Sequence, residues 1–123
     1  MAFFNFEKLV LWQKSRQFVM DVYNICKQFP DEERFGLTMQ VKRAVVSVSS
    51  NIAEGAGRFS QKEKLHFLSI AYGSLTEVCC QLTLACDLGF INNKQLFPLL
   101  NQAEEIGRIM SGYRCSINKQ NDE

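Results

Sequence analysis

From residue 68 to residue 117, apolar side chains return at intervals of three and four: Leu68, Ala71, Leu75, Val78, Leu82 and Ala85, then Leu96, Leu99, Ala103, Ile106, Met110, Tyr113 and Ile117. This spacing places each set on one side of a helix and does not fit the two-residue alternation of a half-buried strand. A third set, Leu37, Val41, Ala44, Val45, Val48 and Ile52, has the same character, and Leu9, Trp12, Val19, Val22 and Cys26 suggest a fourth. With two prolines in 123 residues, the pattern predicts helices over about 6–28, 37–54, 61–88 and 93–117, ending in a frayed "NKQNDE". Helices that long, joined by short connections, pack as neighbours at about 20°. The expected fold is all-α: one domain over 1–123, a left-handed, antiparallel up-down-up-down four-helix bundle.

Turn chemistry supports these boundaries. Pro30 in "QFPDEERFG" breaks the first helix, and Gly55 and Gly57 are read as the stop of the second. Ser60 followed by Glu63 is a capping box opening the third helix, which Gly89 ends. Asn92 and Asn93 turn the chain into the fourth, where Pro98 is tolerated in a first turn. Gly73 lies in the middle of the third helix, where glycine costs about 1 kcal/mol relative to alanine; a close helix approach is the expected reason.

Composition narrows the function classes. The apolar runs, such as "AVV" at 44–46, are far shorter than the ~20 residues of a membrane span. The start "MAFFNFEKLVLW" lacks a basic region ahead of an apolar core, so a cytoplasmic chain without membrane partners is expected. Cys26, Cys79, Cys80, Cys86 and Cys115 show no CxxC pair and read as free thiols. The net charge is only +1, but between Arg34 and Lys64 six cations (Arg34, Lys42, Arg43, Arg58, Lys62, Lys64) face two carboxylates, Glu54 and Glu63. A locally basic half of this kind is a candidate footprint for phosphate.

The second helix carries an unusual arrangement. At about 100° per residue, Gln40, Arg43, Ser47, Asn51 and Glu54 form one narrow stripe beside the core stripe. Met39, Val46 and Ala53 recur every seven residues on its other side. An isolated bundle needs one apolar face per helix, so the second is a candidate interface with another subunit.

"FEKLVLWQKS", "FGLTMQVKRAVVSVSSNIAEGAGR" and "LSIAYGSLTE", with the closing heptads, resemble the four-helix bundle proteins encoded by 23S rRNA intervening sequences along essentially the whole chain. The accessory variability protein of diversity-generating retroelements looks like a relative. The resemblance implies a homopentameric ring and, in the retroelement relative, a basic surface that engages nucleic acid and the reverse transcriptase. In that context Arg43, Ser47, Asn51, Glu54, Ser74 and Glu77, with Gln40 in the same stripe, are expected to form a buried polar network fixing helix register or subunit packing.

Catalytic and metal chemistry find little support. Glu63 and His66 give a single Glu-x-x-His spacing with no second histidine, so no metal site or cofactor is expected. Nothing ties the lone His66 to a nucleophile, and "EGAGR" follows a helix instead of a strand, so no catalytic residue is assigned. Nucleic-acid contact is the favoured function, with Lys42, Arg58, Lys62 and Lys64 as candidate phosphate ligands and Phe59 among the last three. rRNA or another structured nucleic acid is the expected partner. The alternative is a homo-oligomeric scaffold for protein partners.

Overall fold

The computed structural model of the chain describes residues 4–120. In order these form a 3-10 turn, Asn5–Lys8, helix α1, Val10–Cys26, a second 3-10 turn, Asp31–Glu33, and helices α2, Leu37–Ala56, α3, Gln61–Asp87, and α4, Asn93–Gln120. Among the described residues there are four α-helices and no strand.

The core stripes of α2, α3 and α4 fall where the three-four spacing puts them. Val41, Ala44, Val45, Val48 and Ile52 are buried with the whole Leu68–Ala85 set and with Leu96, Leu99, Ala103, Ile106, Met110 and Ile117. Leu37 and Tyr113 pack at the edge of this core. α2 and α3 share the most extensive packing: Ser47 meets Ser74, and Gly55 lies against Phe67.

α1 departs from expectation. It begins at Val10 instead of residue 6, and its buried stripe is Leu11, Ser15, Phe18, Val22 and Cys26. Leu9, Trp12 and Val19 are only half-buried flanks. The sequence hid this register because a serine occupies a core position. Ser15 is fully buried, donates to the Trp12 carbonyl at 2.7 Å and accepts from the Ser49 hydroxyl at 2.9 Å. Its polar atom is satisfied, which is what makes a core serine tolerable.

Several boundaries also shift. α2 runs on to Ala56, so Gly55 is inside the helix and buried instead of stopping it. A Cβ built on Gly55 would lie 3.0 Å from the Phe67 Cβ and 3.4 Å from the Lys64 carbonyl oxygen, so glycine here lets α3 approach α2. Gly55→Ala is expected to lower stability by about 1–3 kcal/mol, the usual range for overpacking; a thermal melt equal to wild type would refute the close-approach reading. Gly73 is the opposite case: its Cβ position meets nothing within 4 Å, so no close approach among the described residues explains it.

The Ser60 cap is present, with the Glu63 amide donating to the Ser60 hydroxyl at 3.1 Å, but the reciprocal arm of the box is not made. The complete box is at α4. There the Gln95 amide donates to Asn92 Oδ1 and the Asn92 amide to Gln95 Oε1, each at 3.0 Å. Gly89, at φ +82°, closes α3 in a Schellman turn, with the Phe90 amide on the Ala85 carbonyl at 2.9 Å and the Gly89 amide on Cys86 at 3.0 Å. Pro98 sits inside α4, beyond its first turn, at an exposed position. α4 continues through residue 118 to Gln120; the rest of the expected frayed tail lies outside the described residues.

By length and composition α3 is the one helix among the described residues that could cross a membrane, a property the short apolar runs did not suggest. Its buried stripe is the one that fills the bundle core.

Candidate functional site

The outer side of α2 carries the chemistry singled out in the sequence. At its middle, Ser47 Oγ and Ser74 Oγ lie 2.8 Å apart, and Asn51 Nδ2 donates to Ser47 Oγ at 3.0 Å and to the Ser47 carbonyl at 2.8 Å. These half-buried residues lock α2 to α3 with uncharged groups. The longer side chains of the expected network, three of them charged, behave differently. Gln40, Arg43, Glu54 and Glu77 are exposed, and Gln40, Arg43 and Glu77 make no side-chain hydrogen bond or ion pair among the described residues. Glu54 pairs instead with Arg58, one turn along, at 2.6 Å. Within one chain the network is therefore three residues, because long charged side chains at a helix rim keep their hydration instead of ordering against each other. Sequence reasoning missed Gln81, which lies seven residues beyond Ser74, is 8% exposed, and has no hydrogen-bond partner at Oε1 among the described residues.

The cations divide into two groups. Lys42 and Arg58 are sixteen residues apart on and just beyond α2, a separation of roughly 24 Å along the helix axis. At the far end, Arg58 is taken up by Glu54 and lies 4.8 Å from the Phe67 ring centroid, while Lys64 donates to the Ala56 carbonyl at 3.3 Å. Lys62 and Phe59 are exposed. A groove of about 940 Å³ opens beside them, and the Glu54 carboxylate is among its walls with Phe4, Phe6 and Ala53.

At the near end the balance is different. Arg34, Lys42 and Arg43 line a groove of about 510 Å³ with Tyr23, Phe35, Met39 and Val46; among the described residues no carboxylate lines it, the nearest in sequence being the Asp31–Glu33 turn that leads into Arg34. Two of the cations sit against aromatic rings: Lys42 Nζ lies 5.0 Å from the Tyr23 centroid and the Arg34 guanidinium 5.3 Å from that of Phe35. Such pairs hold the charge in place while leaving it available to an anion. The structure thus brings Lys42 together with Arg34, Arg43 and two of the candidate interface residues, Met39 and Val46, and sets the third, Ala53, at the other groove. The sequence signal for this cluster was the six-to-two charge excess; only the fold shows which of these cations are engaged among the described residues, as Arg58 is by Glu54.

Among the described residues no three His, Cys, Asp or Glu side chains are grouped to hold a metal ion. Burial pushes the Cys26 thiol from its ordinary 9.0 up to about 11, against a smaller opposing pull from Lys42. A group with a raised folded value contributes stability that is complete below the unfolded value and is lost as pH rises toward the folded one. Stability is therefore expected to fall between pH 9 and 11 partly through Cys26. Native alkylation at pH 8 is expected to mark the exposed Cys80 and Cys115 while sparing Cys26; early labelling of Cys26 by mass spectrometry would contradict this.

The family model for the 23S rRNA-intervening sequence protein matches residues 7–112. The chain belongs to the 23S rRNA-intervening sequence protein family. A solved structure similar to this family member is that of a protein of unknown function from the S23 ribosomal protein family of Bacteroides thetaiotaomicron. The two share 24% identity at a TM-score of 0.79, covering 85% of this chain and 98% of that one. At that identity the likeness establishes the helical fold. A comparison with curated proteins finds no match.

Proposed function

We propose that this 23S rRNA-intervening sequence protein is a non-enzymatic, cytoplasmic accessory factor that self-associates and binds structured RNA through the basic groove of α2. The observation that carries the reading is the set of Arg34, Lys42 and Arg43 around one groove with no lining carboxylate among the described residues. Cations interleaved with aromatic rings suit phosphate contact and base contact together. Arg58, Lys62 and Lys64 are a secondary contact, weakened by the pairing of Arg58 and by the Lys64 bond to the backbone.

Self-association rests on other features. Ile70, Tyr72 and Leu84 on α3 and Leu88 just after it are 39–61% exposed, and Gly73 among them has open space around it. A glycine inside an exposed helix is a net cost unless another backbone comes close. The left-handed, up-down-up-down bundle is the arrangement proposed for each subunit: Gly55 against Phe67 and Ser47 against Ser74 support opposite courses for α2 and α3. The pentameric ring is carried over from the family resemblance, and it would repeat each basic groove in every subunit, so weak contacts would add through avidity.

A second reading has its own observation. Met39 and Val46 share the groove with the cations, and an apolar surface ringed by charge also suits a protein partner of a scaffold. Fluorescence anisotropy of a labelled rRNA hairpin across a salt series separates the two. The RNA reading predicts saturable binding that weakens linearly on a log-log salt plot; no binding at low salt by the assembled protein would leave the scaffold reading.

A further inference from the structure

We infer that Phe35 is a stacking platform for an unpaired nucleobase, so that the α2 groove selects looped or single-stranded RNA over continuous duplex. This inference rests on the RNA-binding reading and specifies its ligand.

Phe35 is 79% exposed and contributes nothing to the core, yet the backbone that presents it is held on both sides. The Arg34 amide bonds to the Asp31 carbonyl at 3.1 Å, the Gly36 amide to the Glu33 carbonyl at 2.9 Å, and the Leu37 amide to Glu33 Oε1 at 3.0 Å. The ring is thus carried by an ordered turn that caps α2. Ordering before binding lowers the entropy that a ligand must offset.

What surrounds the ring defines the ligand. The Arg34 guanidinium lies against it, and Lys42 and Arg43 line the same groove, whose volume of about 510 Å³ accommodates a planar group. A flat apolar surface with cations beside it matches a nucleobase flanked by its own phosphates. In an A-form duplex the base faces are already stacked on one another, so a protruding ring finds only phosphates and groove edges. The faces become available in loops, bulges and single strands, where stacking on an aromatic side chain is sequence-tolerant.

Phe59 makes the contrast. It too is fully exposed, but Glu54 lines its groove and Arg58, its neighbour in the chain, is ion-paired.

The test compares three labelled probes of equal length: a single-stranded uridine-rich RNA, an abasic strand with the same phosphates, and a duplex. Wild type is expected to bind the single strand about tenfold more tightly than the abasic strand, the discrimination typical of one stacked base, and more tightly than the duplex per strand length. Phe35→Ala, at an exposed position, is expected to keep its melting temperature and its salt dependence but to lose the preference. If wild type binds all three probes alike with steep salt dependence, or if Phe35→Ala retains the preference, stacking at Phe35 is overturned while RNA binding stands. If no probe binds at low salt, both readings fall.

Discussion

Phe18→Ala is expected to lower the stability of the chain by about 3–5 kcal/mol, the range for deleting a buried aromatic ring from a packed core. Phe18 is 0% exposed in the middle of the α1 stripe that also holds Leu11, Val22 and Cys26. For a chain of this size that loss corresponds to a fall in melting temperature on the order of 10 °C or more. A pair of chemically identical substitutions sharpens the test. Leu11 is 3% exposed, whereas Leu9 is only half-buried. Leu11→Ala is therefore expected to cost about 2–5 kcal/mol and Leu9→Ala clearly less. Equal losses in calorimetric or denaturant unfolding would mean that α1 is in another register.

The second large effect concerns function. Replacing Lys42 and Arg43 together by glutamate is expected to weaken RNA binding by on the order of 10²-fold near 0.1 M salt, because each lost single-strand phosphate contact removes about 0.7 from the salt slope and each new carboxylate repels the strand. Both positions lie on the outer side of α2, where Arg43 is exposed, so the helical circular dichroism is expected to be retained. Replacing Lys62 alone by glutamate is expected to have a much smaller effect. The opposite ranking, with the Lys62 substitution dominant, would place the interface at the Phe59 end.

Much of the bundle was legible because hydropathy and geometry agree over long helices. Every position of the Leu68–Ala85 repeat is buried, and a single capping serine places the start of α3. α1 was harder: Ser15 interrupts the apolar stripe, and a partner on another helix, Ser49, makes that tolerable. A hydrogen bond between residues that far apart leaves no periodic trace. Gly55 was misread for a related reason, since a helix stop and a close approach both call for glycine and only the position of Phe67 distinguishes them.

The polar stripe was visible as a stripe, but its partition was not. Ser47, Asn51 and Ser74 are short enough to bond inside the α2–α3 contact. Arg43 and Glu77 reach past it into solvent, and Glu54 has a nearer partner in Arg58. The same competition explains why charge counting favoured the Arg58, Lys62 and Lys64 turn: the sequence does not show that Glu54 and the Ala56 carbonyl engage two of those three cations.

The central claim is that RNA meets this protein at the Arg34, Lys42 and Arg43 groove. Photocrosslinking of a single-stranded RNA carrying 4-thiouridine, followed by mass-spectrometric mapping of the joined peptides, tests it most directly. The account predicts crosslinks within residues 23–46, centred on Phe35 and Tyr23 and abolished by Lys42→Glu with Arg43→Glu. Crosslinks confined to residues 58–64, or none above the background seen at high salt, would contradict it.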